Sequence, residues 1–141
     1  MNPTILIVDD CADIARIIAH YLESASFRTI TAANGLEARR RLEVTTPDCI
    51  VLDLMMPGMG GAEFLHHLRA DPATSGIPVI LVSARVGHYG THFRSELDAD
   101  YSVGKPFTKA QIVEAVRTVL ARKASSALAA PPAAMAQQLG C

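Results

Sequence analysis

Paired cysteines, an excess of charge of one sign, long apolar runs and a basic leader are all missing from this 141-residue chain. Its cysteines, Cys11, Cys49 and Cys141, are odd in number and match no zinc or Cys-x-x-Cys spacing, which argues against a disulfide framework and a zinc module. A net charge of −1 gives no general electrostatic reason to bind nucleic acid. No apolar run is long enough to span a bilayer, so no membrane partner is expected. The start, Met1-Asn2-Pro3-Thr4, lacks a basic n-region and precedes an apolar run of only four residues, which argues against a signal peptide. The expectation is a cytoplasmic protein with reduced thiols. Cys49, in a strand, should be an inert core thiol, and negative charge beside Cys11 should disfavour its thiolate.

What is present is a soluble globular pattern, 50% hydrophobic and 19% charged, of a length for one domain plus a tail. Ile5–Val8 is a continuous apolar run, as in a strand covered on both faces. Ile14, Ile17, Ile18, Tyr21 and Leu22 follow at helical spacing, with Asp10 or Asp13 suited to the helix start. Phe27–Thr31 reads as a second strand and Asn34-Gly35 as the turn after it. Leu36–Val44 is a weak helix whose apolar stripe is broken by Arg39, Arg40 and Arg41, read as a solvated face with stems along the sheet. Cys49–Leu52 is a third strand ending at Asp53, and Gly60-Gly61 precedes a helix carrying Phe64, Leu65 and Leu68. Pro78–Val82 is the fourth strand, ending at Ser83; a short polar helix is expected from Gly87 to Leu97, and Ala99–Val103 is the fifth strand. Thr108 can cap a last helix with the stripe Ile112, Val113, Val116, Val119 and Leu120. The alternation predicts an α/β fold, a doubly wound five-stranded parallel sheet with five helices on both faces. The domain is expected over residues 1–123. Residues 124–141, rich in Ala, Ser, Pro and Gln, are expected as a disordered tail. There is no internal repeat.

Asp9-Asp10, Asp53 and Lys105 each sit at or just past the end of an apolar run. In an open parallel sheet those ends form one crevice, where ligands bind. Carboxylates crowded there repel one another unless a divalent cation joins them. A cation, a carboxylate and a fixed ammonium make a site for a phosphoryl group. Singly each residue has an ordinary structural reading. The acids could cap a helix, Asp53 could end a strand as a turn residue, and Lys105 could be a solvated lysine. Together, at adjacent strand ends, they are hard to explain that way.

With these residues the chain resembles the receiver domain of bacterial two-component response regulators over about residues 3–122. The resemblance rests on Ile5-Leu6-Ile7-Val8-Asp9-Asp10, the stretch from Asp53-Leu54-Met55-Met56-Pro57-Gly58 to Gly61, Leu81-Val82-Ser83-Ala84 and Lys105-Pro106-Phe107, in this order. It implies a flavodoxin-like sheet with strand order 2-1-3-4-5. Asp53 would accept a phosphoryl group from a histidine kinase or phosphotransfer protein. Mg²⁺ would be held directly by Asp10, by Asp9 directly or through water, and by Asp53 and the Met55 carbonyl. Ser83 and Lys105 would contact phosphoryl oxygens, and the Lys105–Pro106 peptide would be cis. Independent chemistry agrees: Mg²⁺ favours oxygen ligands with few carboxylates, lysine is a compact phosphate partner, and phosphoryl transfer is mostly positioning and charge neutralisation. The expectation is a stand-alone switch with autodephosphorylation, not a metabolic enzyme, signalling through an unknown downstream protein.

Gly60 and Cys11 depart from commonly acidic positions of the family, and Ser102 stands where its switch aromatic falls, with Tyr101 one residue earlier. Two other readings remain open here. An Mg²⁺-dependent phosphohydrolase would carry a second carboxylate where Met55 stands. A pseudo-receiver would act as an interaction module without phosphorylation. His88 and His92, spaced i, i+4, suit a metal pair but lack a third ligand nearby, and of His66-His67 one should face solvent.

Overall fold

The computed structural model describes residues 2–53, 60–83 and 99–129. Its elements are β1 (Thr4–Val8), α1 (Ala12–Ser24), β2 (Arg28–Ala32), α2 (Gly35–Val44), β3 (Cys49–Asp53), α3 (Gly61–Ala70), β4 (Val79–Ser83), β5 (Tyr101–Gly104) and α4 (Lys109–Ala129). The strands form one five-stranded sheet in the order β2-β1-β3-β4-β5, and every pairing is parallel. This is the doubly wound, flavodoxin-like sheet expected. The helix expected over Gly87–Leu97, and with it His88 and His92, lies outside the described residues.

Side chains alternate across a strand, and the apolar runs are unbroken because both faces are covered. Ile5, Ile7, Cys49, Val51, Ile80 and Val82 face one layer, against Ala15, Ile18 and Leu22 of α1 and Ile112, Val116 and Val119 of α4. Leu6, Val8, Ile50, Leu52, Val79 and Leu81 face the other, against Ala38 of α2 and Phe64, Leu65 and Leu68 of α3. Ile17, counted in the α1 stripe by spacing, is 42% exposed. Arg39, Arg40 and Arg41 are exposed, as a solvated face, and so are both His66 and His67.

The helix ends show where local sequence is read differently in context. Neither Asp10 nor Asp13 caps α1; Cys11 does, without a side-chain bond, and Asp13 sits in the first turn. There its charge meets the positive end of the helix dipole. Asn34 is a cap rather than a turn residue: its Oδ1 accepts from Glu37 N at 2.8 Å, while Glu37 Oε1 accepts from Ala33 N at 2.6 Å. Thr108 caps α4 as expected, in a reciprocal box: Gln111 N donates to Thr108 Oγ1 at 3.2 Å, and Thr108 N donates to Gln111 Oε1 at 2.8 Å. Helix α4 continues to Ala129, past the change of composition at residue 124. Half of that stretch is alanine, the strongest helix former, and residues 130–141 lie outside the described residues.

Two side-chain systems hold the sheet edge carrying β4 and β5. Asp100 Oδ2 accepts from Val79 N at 2.8 Å and from Arg69 Nη2 at 3.0 Å. Arg69 Nη1 also donates to the carbonyls of Ser75 and Ile77. Tyr101 is in register with Ile80, and Ser102 with Leu81. Tyr101 therefore packs in the α1–α4 layer, where the Arg122 guanidinium lies 5.9 Å from its ring centroid. Ser102 points to the opposite face, and a fixed register keeps the two from exchanging directions.

Cys49 is buried in β3, and burial pushes its thiol up from the ordinary range, while Cys11 is exposed. Iodoacetamide labelling followed by peptide mass mapping should find Cys11 modified in the native protein and Cys49 modified only as fast as the domain unfolds. Equal rates at the two thiols would overturn the placement of Cys49 in a closed core.

Candidate functional site

The site is assembled by strand register. Val8 of β1 is paired with Leu52 of β3, so the next residues, Asp9 and Asp53, emerge side by side at the carboxyl ends of neighbouring strands. Lys105 follows β5 at the same edge, and its peptide bond to Pro106 is cis. Asp9 and Asp53 are 3% and 4% exposed, the only buried charged side chains among the described residues. Lys105 Nζ lies 3.7 Å from Asp9 Oδ2 and 3.6 Å from Asp53 Oδ1. Asp10 sits on the exposed rim. One carboxylate oxygen each from Asp9, Asp10 and Asp53 lie within 4.8 Å of one another.

The charges do not balance. Among the described residues one ammonium, Lys105, faces three carboxylates, two of them buried, and buried charge is costly unless it is paired. Asp9 shows the deficit at the level of atoms. Its Oδ1 accepts from Cys11 N at 2.9 Å, while its Oδ2 is buried and has no hydrogen-bond partner. A divalent cation would supply the missing positive charge. The donor set is all oxygen, with no thiol in the group, which fits a hard ion such as Mg²⁺. Asp53 could then act as an oxygen nucleophile toward an electrophile whose own negative charge is offset by that cation and by Lys105.

Of the residues singled out from the sequence, Asp9, Asp10, Asp53 and Lys105 are brought together. Ser83 ends β4 one residue beyond the Asp53–Val82 register pair, so its backbone reaches the same edge. Met55 lies outside the described residues. Sequence reasoning missed the role of the Cys11 amide, because a backbone N–H carries no residue-specific signal.

Comparison with known proteins places these observations. The family "Response regulator receiver domain" matches residues 5–117. The chain is 34% identical over 135 residues to the alkaline phosphatase synthesis transcriptional regulatory protein PhoP of Bacillus subtilis, covering 96% of this chain and 54% of that protein. It is 36% identical over 122 residues to the phosphate regulon transcriptional regulatory protein PhoB of Pseudomonas aeruginosa, covering 86% of this chain and 53% of that protein. The chain thus spans about half the length of the curated relatives it matches. Among solved structures, the Francisella response regulator 1452 receiver domain superposes with a TM-score of 0.78 at 30% identity, covering 86% of this chain and 98% of that one. The chemotaxis response regulator CheY4 of Vibrio cholerae gives a TM-score of 0.78 at 25% identity, covering 84% and 99%.

Proposed function

The chain belongs to the response regulator receiver domain family, and from that premise we propose that it is a phosphoacceptor switch with Asp53 as its acceptor. The phosphodonor is a phosphohistidine on a histidine kinase or phosphotransfer protein, and the output is a changed affinity for a downstream protein. The reaction is self-catalysed signalling chemistry in the cytoplasm rather than metabolic catalysis. One observation carries the reading: Lys105 Nζ stands between the buried carboxylates of Asp9 and Asp53, within 4 Å of each, with Asp10 beside them.

A carboxylate oxygen of Asp53 attacks the phosphorus, the P–N bond to the donor imidazole breaks, and the bond's electron pair leaves with the imidazole. The product is an acyl phosphate on Asp53, which water later hydrolyses to restore the carboxylate. Lys105 pairs with a phosphoryl oxygen and offsets charge that would repel the donor. The Ser83 hydroxyl hydrogen-bonds another phosphoryl oxygen. Asp9, Asp10, Asp53 and the Met55 carbonyl would hold Mg²⁺, which would supply neutralisation of phosphoryl charge. Burial of Asp9 and Asp53 keeps bulk water from screening these interactions.

The test is transfer from purified phosphorylated histidine kinases with Mg²⁺ present. One chain should take up one phosphoryl group within minutes from its cognate donor, read by intact mass, and lose it in hydroxylamine as acyl phosphates do. If no kinase and no small acyl phosphate labels the chain, it is a receiver-shaped interaction module that is never phosphorylated.

A further inference from the structure

The carboxylate of Asp9 is held in an asymmetric way. Cys11 N donates to Oδ1 at 2.9 Å, whereas Oδ2 is buried, lacks a hydrogen-bond partner and lies 3.7 Å from Lys105 Nζ. We infer that Asp9 offers a divalent cation one oxygen only, Oδ2, and that the backbone N–H of Cys11 imposes the choice by occupying the other. The inference rests on the cation site proposed above and assigns a positioning role to a main-chain group.

The physical reason lies in the two-fold torsion of a carboxylate. Rotation about the terminal bond of an aspartate exchanges two equivalent oxygens, so either can meet the N–H and the other then faces the ion. An amide has no such symmetry. With Asn at position 9, only the carbonyl oxygen can accept from Cys11 N, so the NH₂ group falls where Oδ2 was. It then points two donor hydrogens at the cation position and at the Lys105 ammonium. Asp10 differs, because it is exposed and no hydrogen bond to its carboxylate is seen among the described residues. An amide at position 10 is free to turn its oxygen toward an ion.

This gives a contrast that loss of charge alone does not produce. Mg²⁺ affinity is measured by calorimetry on the native chain and on Asp9→Asn, Asp9→Ala, Asp10→Asn and Asp10→Ala. Both substitutions at position 9 should weaken Mg²⁺ about ten-fold or more, the scale for disturbing an ion's ligand shell, with Asp9→Asn no better than Asp9→Ala. At position 10 the Asn variant should bind several-fold more tightly than the Ala variant. A second readout needs no metal. The Cys11 amide proton should exchange slowly in the native chain and in Asp9→Asn, and exchange faster in Asp9→Ala. Circular dichroism melts confirm that each variant is folded. If Asp9→Asn binds Mg²⁺ clearly better than Asp9→Ala, or Cys11 exchange is the same in all three, the inference is overturned while the cation site stands. If the native chain itself binds no Mg²⁺, the site falls and the inference with it.

Discussion

Asp53→Asn should abolish phosphoryl labelling by acetyl phosphate and Mg²⁺, from one group per chain to none. The change is nearly isosteric and keeps two heteroatoms in place at the end of β3. What it removes is the anionic oxygen that attacks phosphorus; an amide oxygen is a poor nucleophile and its adduct is not a stable product. The fold should survive, because the side chain contributes charge rather than apolar contact to the layers on either side of the sheet. Stability should hold or rise slightly, since one of three crowded carboxylates becomes neutral while Lys105 keeps its partner Asp9 at 3.7 Å. Intact mass before and after incubation gives the answer. Labelling of the Asn variant equal to that of the native chain would show that the phosphoryl group goes elsewhere and that the buried carboxylate is not the acceptor.

The second large effect concerns the ion. Adding Mg²⁺ in ten-fold excess over its dissociation constant should stabilise the domain by about 1.4 kcal/mol through mass action, about 5 °C in melting temperature for a domain of this size. Chelation with EDTA should remove that gain and stop phosphoryl transfer. The cause is the crowding of the Asp9, Asp10 and Asp53 carboxylates within 4.8 Å of one another, which the unfolded chain does not reproduce. Sodium chloride at equal ionic strength should do far less, because two of the three carboxylates are buried away from the screening solution. Asp10→Asn should lower both the thermal gain and the transfer rate. A melting curve unchanged between EDTA and millimolar Mg²⁺, with no heat of binding, would remove the cation from the mechanism.

Much of this protein follows from local patterns. The runs at Ile5–Val8, Cys49–Leu52 and Val79–Val82 are short, apolar without interruption and mostly β-branched or leucine, the pattern of strands covered on both faces. The chain alternates such runs with helical stripes, and parallel strands joined by helices leave few topologies open. Where each run ends in an acid or before a lysine, the ends of a parallel sheet bring those residues together. The meeting of Asp9, Asp10, Asp53 and Lys105 at one sheet edge is therefore legible. The errors were of one kind, a residue assigned its commonest local role. Asn34 reads as a turn residue and is a helix cap, and Ile17 fits the α1 stripe by spacing and is 42% exposed.

Tertiary structure alone decided the quantities on which chemistry depends. The 3.6 Å between Lys105 and Asp53 spans residues far apart in the chain and is set by sheet order and register, which the packing of both layers selects. Burial of Asp9 and exposure of Asp10, adjacent residues of one type, follow from which way each leaves the end of β1. The Asp100–Arg69 pair links the start of β5 to α3 across the sheet edge, and no spacing rule announces it. The Cys11 amide holds one oxygen of Asp9 because α1 begins where it does, and Tyr101 lies on the α1–α4 face because β5 is in register with β4. Residue type and period are properties of a segment and can be read from it. Distance, burial and the partner of a given oxygen belong to pairs of segments, and they come into being only when the sheet closes them against each other.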